Sequence, residues 1–271
     1  IPTNDDGPDM DLVEKYVSED ETVKGIWCVP RFSNPEGKVY SDEVVRRFAN
    51  LSPKAKDFRI FWDNAYAVHE LEEDAPVLLN LMNELRKTGK EDMLFTYTST
   101  SKITFPGGGL AALGASKNNI ELIKNQMSAQ TIGPNKINQL RHIRYFKNLD
   151  GVKAHMKLHA ALLRPRFAAV LEELDTIRDL GIAEWTEPKG GYFVSVDLTD
   201  GCAKRTIQLL KDAGVKMTPA GATFPYGIDP RDRNIRIAPS YPPVEELRTA
   251  MKMFCLCAKI AASEKLLEKL S

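Results

Sequence analysis

The run LFTYTSTSKITFPGGGLAALG, residues 94–114, decides how the chain is read. It climbs as a strand-like segment into a hydroxyl cluster, Ser99-Thr100-Ser101, and sets one lysine, Lys102, directly after it. Pro106-Gly107-Gly108-Gly109 follows, a loop with almost no side chains. An apolar strand that ends in polar residues fits an open α/β sheet, which binds ligands at the carboxyl ends of its strands. Two upstream segments share this design. KGIWCVP (24–30) is a buried strand leading to Asn34 in SNPEG, and FRIFWDNAY (58–66) is a second one ending at Asp63.

Helical segments separate them. DMDLVEKYVSE (9–19) reads as a short helix, and SDEVVRRFAN (41–50) as a helix capped by Ser41. APVLLNLMNELRKTG (75–89) places Val77, Leu78, Leu81, Met82 and Leu85 on one face, with Gly89 as its stop. NNIELIKNQMSAQ (118–130) begins a further helix, with Asn118 and Glu121 spaced as a capping box. Alternation of strand and helix predicts a mostly parallel sheet with crossover helices. A long helix is expected from about Val152 to Leu180, kinked or broken at Pro165, where the domain boundary is placed. Beyond it GGYFVSVDL (190–198), VKMTP (215–219) and NIRIAPSY (234–241) read as short strands, with AKRTIQLLKDAG (203–214) and a C-terminal helix from Val244 around them. The expected organisation is α/β: residues 1–164 form part of a large domain, and residues 165–271 a smaller α+β domain.

Composition narrows the function classes. The 271 residues are 43% hydrophobic and 27% charged, with 37 basic and 37 acidic side chains and a formal net charge of +0. That balance argues against a nucleic-acid binder that works by bulk phosphate neutralisation. No apolar run approaches the length of a membrane span, and the start IPTNDDGPDMDL has no signal-peptide character. Cys28, Cys202, Cys255 and Cys257 have no metal or disulfide spacing, so a reducing cytoplasm is the expected setting and no metal is expected.

Taken singly, the strand-end residues have plain explanations. Asn34 fits a turn, Asp63 a helix cap, and Lys102 a solvated loop position. Together they match the needs of pyridoxal phosphate. That cofactor takes a lysine amine for its aldehyde, a carboxylate at its ring nitrogen, donors at its ring oxygen, and hydroxyls with backbone amides around its phosphate. Lys102, Asp63, Asn34 with Tyr66, and Ser99 stand in those contexts.

The ordered set SNPEG (33–37), DNAY (63–66), TSTSKITFPGGG (98–109) and RNIRIAPSYP (233–242) resembles the fold type I pyridoxal-phosphate aminotransferases of class I/II. FWDNAYAVHEL (61–71) and IRIAPSYPPVEEL (235–247) are most similar to the divergent bacterial aspartate aminotransferase subgroup. The resemblance covers essentially the whole chain. It implies a ping-pong transfer of an amino group from an L-amino acid, aspartate first, to 2-oxoglutarate, by a homodimer. Lys102 would form the Schiff base and move the proton. Asp63 would pair with the pyridinium nitrogen, Asn34 and Tyr66 with the ring oxygen, and Ser99, with Ser101 behind it, with the phosphate. Arg236 would fork onto the substrate α-carboxylate, with Arg233 as its nearby decoy. Rival readings are a lyase or a transaminase of other substrate on the same scaffold, and the aminotransferase-like effector domain of a transcription regulator.

Two departures from the family stand out. Many members carry a phosphate-binding arginine seven or eight residues after the lysine, where this chain has Gly109 and Leu110. Family chains also run well over a hundred residues further at the N-terminus, so the chain reads as an N-terminally truncated part, and these residues alone are expected to bind the cofactor poorly. Among secondary candidates, His155 and His159 stand four apart on a helix without a third metal ligand, and His69 is expected in a first helical turn near the site wall. Trp62 reads as sheet packing, and GGY (190–192) and PAGATF (219–224) as loops near the substrate.

Overall fold

A computed structural model describes residues 1–270, which divide into two compact units. The first comprises Ile1–Ser33, Lys38–His69 and Pro76–Met156. Its strands are β1 (Thr3–Asn4), β2 (Gly7–Pro8), β3 (Gly25–Cys28), β4 (Arg59–Asp63), β5 (Leu94–Ser99) and β6 (Ala111–Ala115). Its helices are α1 (Met10–Glu19), α2 (Asp42–Asn50), α3 (Leu81–Thr88), α4 (Lys117–Gln130) and α5 (Lys136–Phe146). The helix α6 (Leu149–Asp175) begins in this unit and continues into the second.

The main sheet has the order β3-β4-β5-β6. The first three strands are parallel, as the β-then-α alternation predicts, and β6 runs antiparallel to β5. β6 escapes sequence reading because its AALGA lacks the branched and aromatic residues that mark strands. On β4, Ile60 and Trp62 are buried while Phe61 is half-buried, the two-residue period of a strand that covers a core on one side. That core takes Met10 and Val13 from α1, Val44, Val45 and Phe48 from α2, and Leu81 and Leu85 from α3. On the other side Trp27 stacks on Phe61 and Tyr97 at 5.6 and 5.7 Å.

Helix ends follow local chemistry. Ser41 caps α2, its hydroxyl accepting from Val44 N at 3.3 Å. Gly89 ends α3 in the left-handed conformation, φ 66°. The expected apolar face of α3 is corrected at its start. Asn80 caps the helix through Asn83 N, so Val77 and Leu78 lie before it and Val77 is 84% exposed. The cap of α4 is likewise Ser116, which accepts from Asn119 N at 3.2 Å, and not Asn118, whose amide donates to Asp92 instead.

The second unit contains Asn34–Gly37, Glu70–Ala75 and the chain from Lys157 onward. Its sheet is antiparallel, β7 (Ala183–Trp185), β8 (Val194–Leu198) and β9 (Asn234–Ile237), with β8 in the centre. The helices α7 (Ala203–Asp212) and α8 (Val244–Leu270) pack with α6 around Phe167, Val170, Leu174, Val196, Ile235 and Phe254. Two corrections belong here. α6 runs through Pro165 without ending, because Phe167, Val170 and Leu174 on the following turns are buried in the core. Residues 215–219 form no strand: Val215 and Met217 reach the core from a loop, and Pro219 has no N–H to give a ladder. The segment 70–75 joins this unit through Leu71 N, which donates to Lys189 O at 2.9 Å, and a bridge between Glu70 and Gly190. No helix among the described residues is long and apolar enough to cross a membrane.

Candidate functional site

Two of the predicted strand ends lie side by side in the first unit. β4 ends at Asp63, opposite Tyr97 of β5, and β5 continues two residues to Ser99. Asn64 N donates to Tyr97 O at 2.8 Å and extends the pairing by one step. Residues 65–68 then form turns rather than the helix that an Asp63 cap would start. This fold-back buries Tyr66 and His69 and leaves Asp63 half-buried.

After Ser99 the chain makes one tight turn, with Ile103 N and Thr104 N both donating to Thr100 O at 2.9 and 2.8 Å. Lys102 lies on that turn. Its Nζ stands 5.1 Å from the centre of the Tyr66 ring, a favourable cation–π distance. Its carbonyl accepts from His69 Nε2 at 3.2 Å. The base of the loop is closed at Thr100, whose N donates to Leu110 O and whose hydroxyl accepts from Leu110 N, both at 2.8 Å. Helix α5 holds the far side: Asn138 donates to Gly109 O and Arg141 to Gly108 O, each at 2.8 Å, and the ring of buried His142 bonds the hydroxyls of Thr100 and Thr104, each at 3.2 Å.

Glycine at 109 now has a steric reason. A Cβ there would lie 3.0 Å from Thr100 Oγ1 and 3.2 Å from Ser101 N, so no arginine fits at that position without moving the turn. Beside the strand ends a groove of about 500 Å³ is lined by Asp63, Tyr97, Ser99, Leu113 and, from α4, Ile123 and Lys124.

The remaining candidates belong to the second unit. Arg236 lies in β9 opposite Ser195, half-buried. Its Nη1 donates to Asn34 Oδ1 at 2.9 Å, its guanidinium lies 4.5 Å from the centre of the Phe193 ring, and its Nε is buried with no hydrogen-bond partner among the described residues. Arg233 differs. It is bonded to Asp197 at 2.5 Å, and that carboxylate raises its already high pKa. Of the two arginines, Arg236 is the one with a buried donor that has no partner among the described residues.

The structure thus brings Asp63, Tyr66, Ser99 and Lys102 together in one unit and bonds Asn34 to Arg236 in the other. Sequence reasoning misplaced His69, which is buried at the end of a turn; no hydrophobic period marks a residue buried that way. It also missed the Thr100–Leu110 closure, since a threonine in a hydroxyl cluster carries no sign of which backbone group it will meet. Both ring nitrogens of His155 have protein partners, Ile103 O at 2.9 Å and Tyr145 Oη at 3.2 Å, and among the described residues no three His, Cys, Asp or Glu side chains stand together as a metal set.

Comparison with known proteins agrees with this architecture. Residues 1–270 match the family described as aspartate amino-transferase. A Mycolicibacterium smegmatis protein named provisionally as an aminotransferase is 48% identical over 98% of this chain and 63% of its own. The aspartate aminotransferase of Corynebacterium glutamicum is 44% identical over 97% of this chain and 61% of its own. The crystal structure of an aspartate transaminase from Corynebacterium glutamicum superposes with a TM-score of 0.95 at 44% identity, covering 98% of this chain and 62% of that one. The chain therefore spans about three-fifths of the length of the relatives it matches. It belongs to the aspartate amino-transferase family and has the fold of the pyridoxal-phosphate fold type I enzymes.

Proposed function

We propose that this protein is a pyridoxal-phosphate-dependent aminotransferase that moves the amino group of an L-amino acid, aspartate foremost, to 2-oxoglutarate in two half-reactions. The observation that carries the reading is Lys102 on the turn after β5, its Nζ against the Tyr66 ring, with Asp63 ending the neighbouring strand. The residues fit the cofactor. Gly109 leaves the backbone of Ser101 open beside the hydroxyl cluster, where a side chain would obstruct a phosphate, and amine, carboxylate and hydroxyl all come from adjacent strand ends.

Bound pyridoxal phosphate supplies an aldehyde that captures amines and a protonated ring that accepts the electrons of a broken Cα–H bond. Lys102 would hold the aldehyde and would move the proton at the substrate Cα. Asp63 would keep the proton on the ring nitrogen. The ring oxygen would call for donors such as the Tyr66 hydroxyl of the first unit and the Asn34 amide of the second. Because Asn34 Oδ1 already accepts from Arg236, the N–H₂ of that amide is left to donate. Ser99, with Ser101 and loop amides, would take the phosphate, and the Arg236 guanidinium would fork onto the α-carboxylate. Aspartate is favoured because the Corynebacterium glutamicum relative, 44% identical in both the sequence and the structure comparison, carries that name.

The decisive experiment uses the protein at full length. Pyridoxal phosphate is added, the mixture is reduced with borohydride, and the peptide containing Lys102 is weighed. Unreduced protein is then given aspartate, and the cofactor absorbance is followed. A pyridoxyl mass on Lys102 with loss of the band and release of oxaloacetate is the expected result. Fumarate and ammonia, the elimination products of aspartate, would instead indicate a lyase, and label elsewhere would remove the cofactor assignment. A homodimer is also proposed, supported by Ile137, Leu140, Ile143 and Tyr145 exposed on α5; light scattering at micromolar concentration checks it. Four free, buried cysteines suit the cytoplasmic setting proposed for it.

A further inference from the structure

We propose that His69 is a positioning residue that sets Lys102 and Tyr66 relative to each other, an inference that rests on the pyridoxal-phosphate reading above. His69 is 4% exposed and makes three contacts in this group. Its Nε2 lies 3.2 Å from Lys102 O, 33 residues along the chain. Its ring meets the Tyr66 ring edge-on, with centroids 5.4 Å apart and planes at 81°. Its backbone N donates to Tyr66 O at 3.2 Å.

A carbonyl oxygen only accepts, so the Lys102 bond requires a proton on Nε2. The consequence is mechanical. Lys102 is exposed on a short turn, and its four-carbon stem has many rotamers. Thr100 fastens the base of that loop to Leu110, two residues before the lysine. His69 fastens the lysine's own carbonyl. With Cα fixed from both sides, Nζ sweeps a smaller volume, and that volume lies over the Tyr66 ring, which the same imidazole holds from the side. One buried side chain thereby sets the distance between the amine that takes the aldehyde and the phenol that donates to the ring oxygen. Catalysis is sensitive to such placement: misplacing a reacting group by about 1 Å costs roughly a hundredfold in rate.

A histidine that merely filled space would affect folding alone. A positioning histidine also affects the pH at which the cofactor's visible absorbance changes, because that midpoint depends on Tyr66 and on how Lys102 presents its nitrogen. The test compares wild type with His69→Phe, which keeps a ring edge for Tyr66 but has no donor, and His69→Gln, which restores one. In wild type, borohydride label on Lys102 is checked first; its absence overturns the cofactor reading and this inference with it. With label present, the Phe variant is expected to move the absorbance midpoint by about half a pH unit or more. Its kcat should fall roughly ten- to a hundredfold with KM within about twofold, and the Gln variant should recover most of both. A folded, labelled Phe variant with an unmoved midpoint overturns the proposal and leaves the cofactor reading intact. A measurement without variants stands beside it: nitrogen-15 NMR of the histidine rings should show His69 protonated on Nε2, and a bare Nε2 overturns the proposal even if the Phe variant does not fold.

Discussion

Arg233 and Arg236 show how little separates a structural residue from a ligand residue. Both are arginines at the entrance to or within one strand, and sequence ranks them only by position. The structure separates them by partners: Arg233 is neutralised by Asp197, whereas Arg236 meets an uncharged amide and an aromatic ring and keeps its Nε unbonded. Arg236→Lys is therefore expected to raise KM for both the amino acid and the oxo acid, with kcat/KM falling roughly a hundredfold, since a lost fork to a buried carboxylate costs about 2–5 kcal/mol. Arg233→Lys should leave KM alone and lower the melting temperature. Steady-state kinetics on the two variants decide this, and equal KM changes in both would remove the distinction. Gly109 carries the opposite kind of information. Its Cβ would press on Thr100 and Ser101, so Gly109→Ala should destabilise the first unit by about 1–3 kcal/mol in denaturant melts. It should also weaken pyridoxal-phosphate binding; a normal cofactor affinity would mean that the turn yields freely and the glycine has no role at the phosphate.

At the scale of elements, what was legible depended on whether an element carries its own signal. β3, β4 and β5 were readable because each carries branched or aromatic residues in a short run, and the polar ends of β4 and β5 named Asp63, Ser99 and Lys102 at once. Ser41 was readable as a cap because the helix after it is periodic. β6 was not, since alanine and glycine acquire strand geometry only by pairing with β5. The course of α6 through Pro165 was not, because the burial that carries it comes from the packed core of the second unit. The loop before β9 is another case that only tertiary structure reveals. Asp229 is 6% exposed, and its carboxylate accepts from Arg231 N, Arg233 N and Asn234 N at 3.0, 2.7 and 2.8 Å. Burial pushes this carboxyl up, but the three backbone donors outweigh it and hold the group below its ordinary 3.8. A carboxyl depressed in the folded state stabilises the fold above its unfolded value, and that contribution is lost as pH falls from about 4 through the folded value. Asp229→Asn should therefore cost about 1–3 kcal/mol at pH 7 and make the acid side of the stability curve flatter. Urea melts at pH 7 and pH 3 measure it; equal losses at both would show that the charge is not what holds the loop before Arg236.

Across the whole molecule, the four cysteines give each unit its own reporter. Cys255 and Cys257, in the apolar MFCLCAKIAA, read in the sequence as small core residues, and the structure finds all four free and buried. Cys28 lies in the core of the first unit, and Cys202, Cys255 and Cys257 lie in the core of the second. Burial pushes the Cys28 thiol up to about 12 and that of Cys255 up to about 11, and raises those of Cys202 and Cys257 as well. Only the thiolate attacks a disulfide reagent, so at pH 8 each native thiol is unreactive for two reasons, lack of access and lack of charge. Reaction must wait for the surrounding core to open, and its rate reports the free energy of that opening. A chromogenic disulfide reagent should therefore find no fast thiol in the native protein and four in urea. At intermediate urea, mass analysis of the modified peptides should show Cys202, Cys255 and Cys257 reacting together, because one core covers all three, while Cys28 follows the opening of the first unit. If the protein binds pyridoxal phosphate through Lys102, the cofactor stabilises the unit that holds it by mass action. Adding it should slow Cys28 at a fixed urea concentration, and modification of Cys28 at an unchanged rate would place the cofactor's binding energy elsewhere than on the β4 and β5 strand ends.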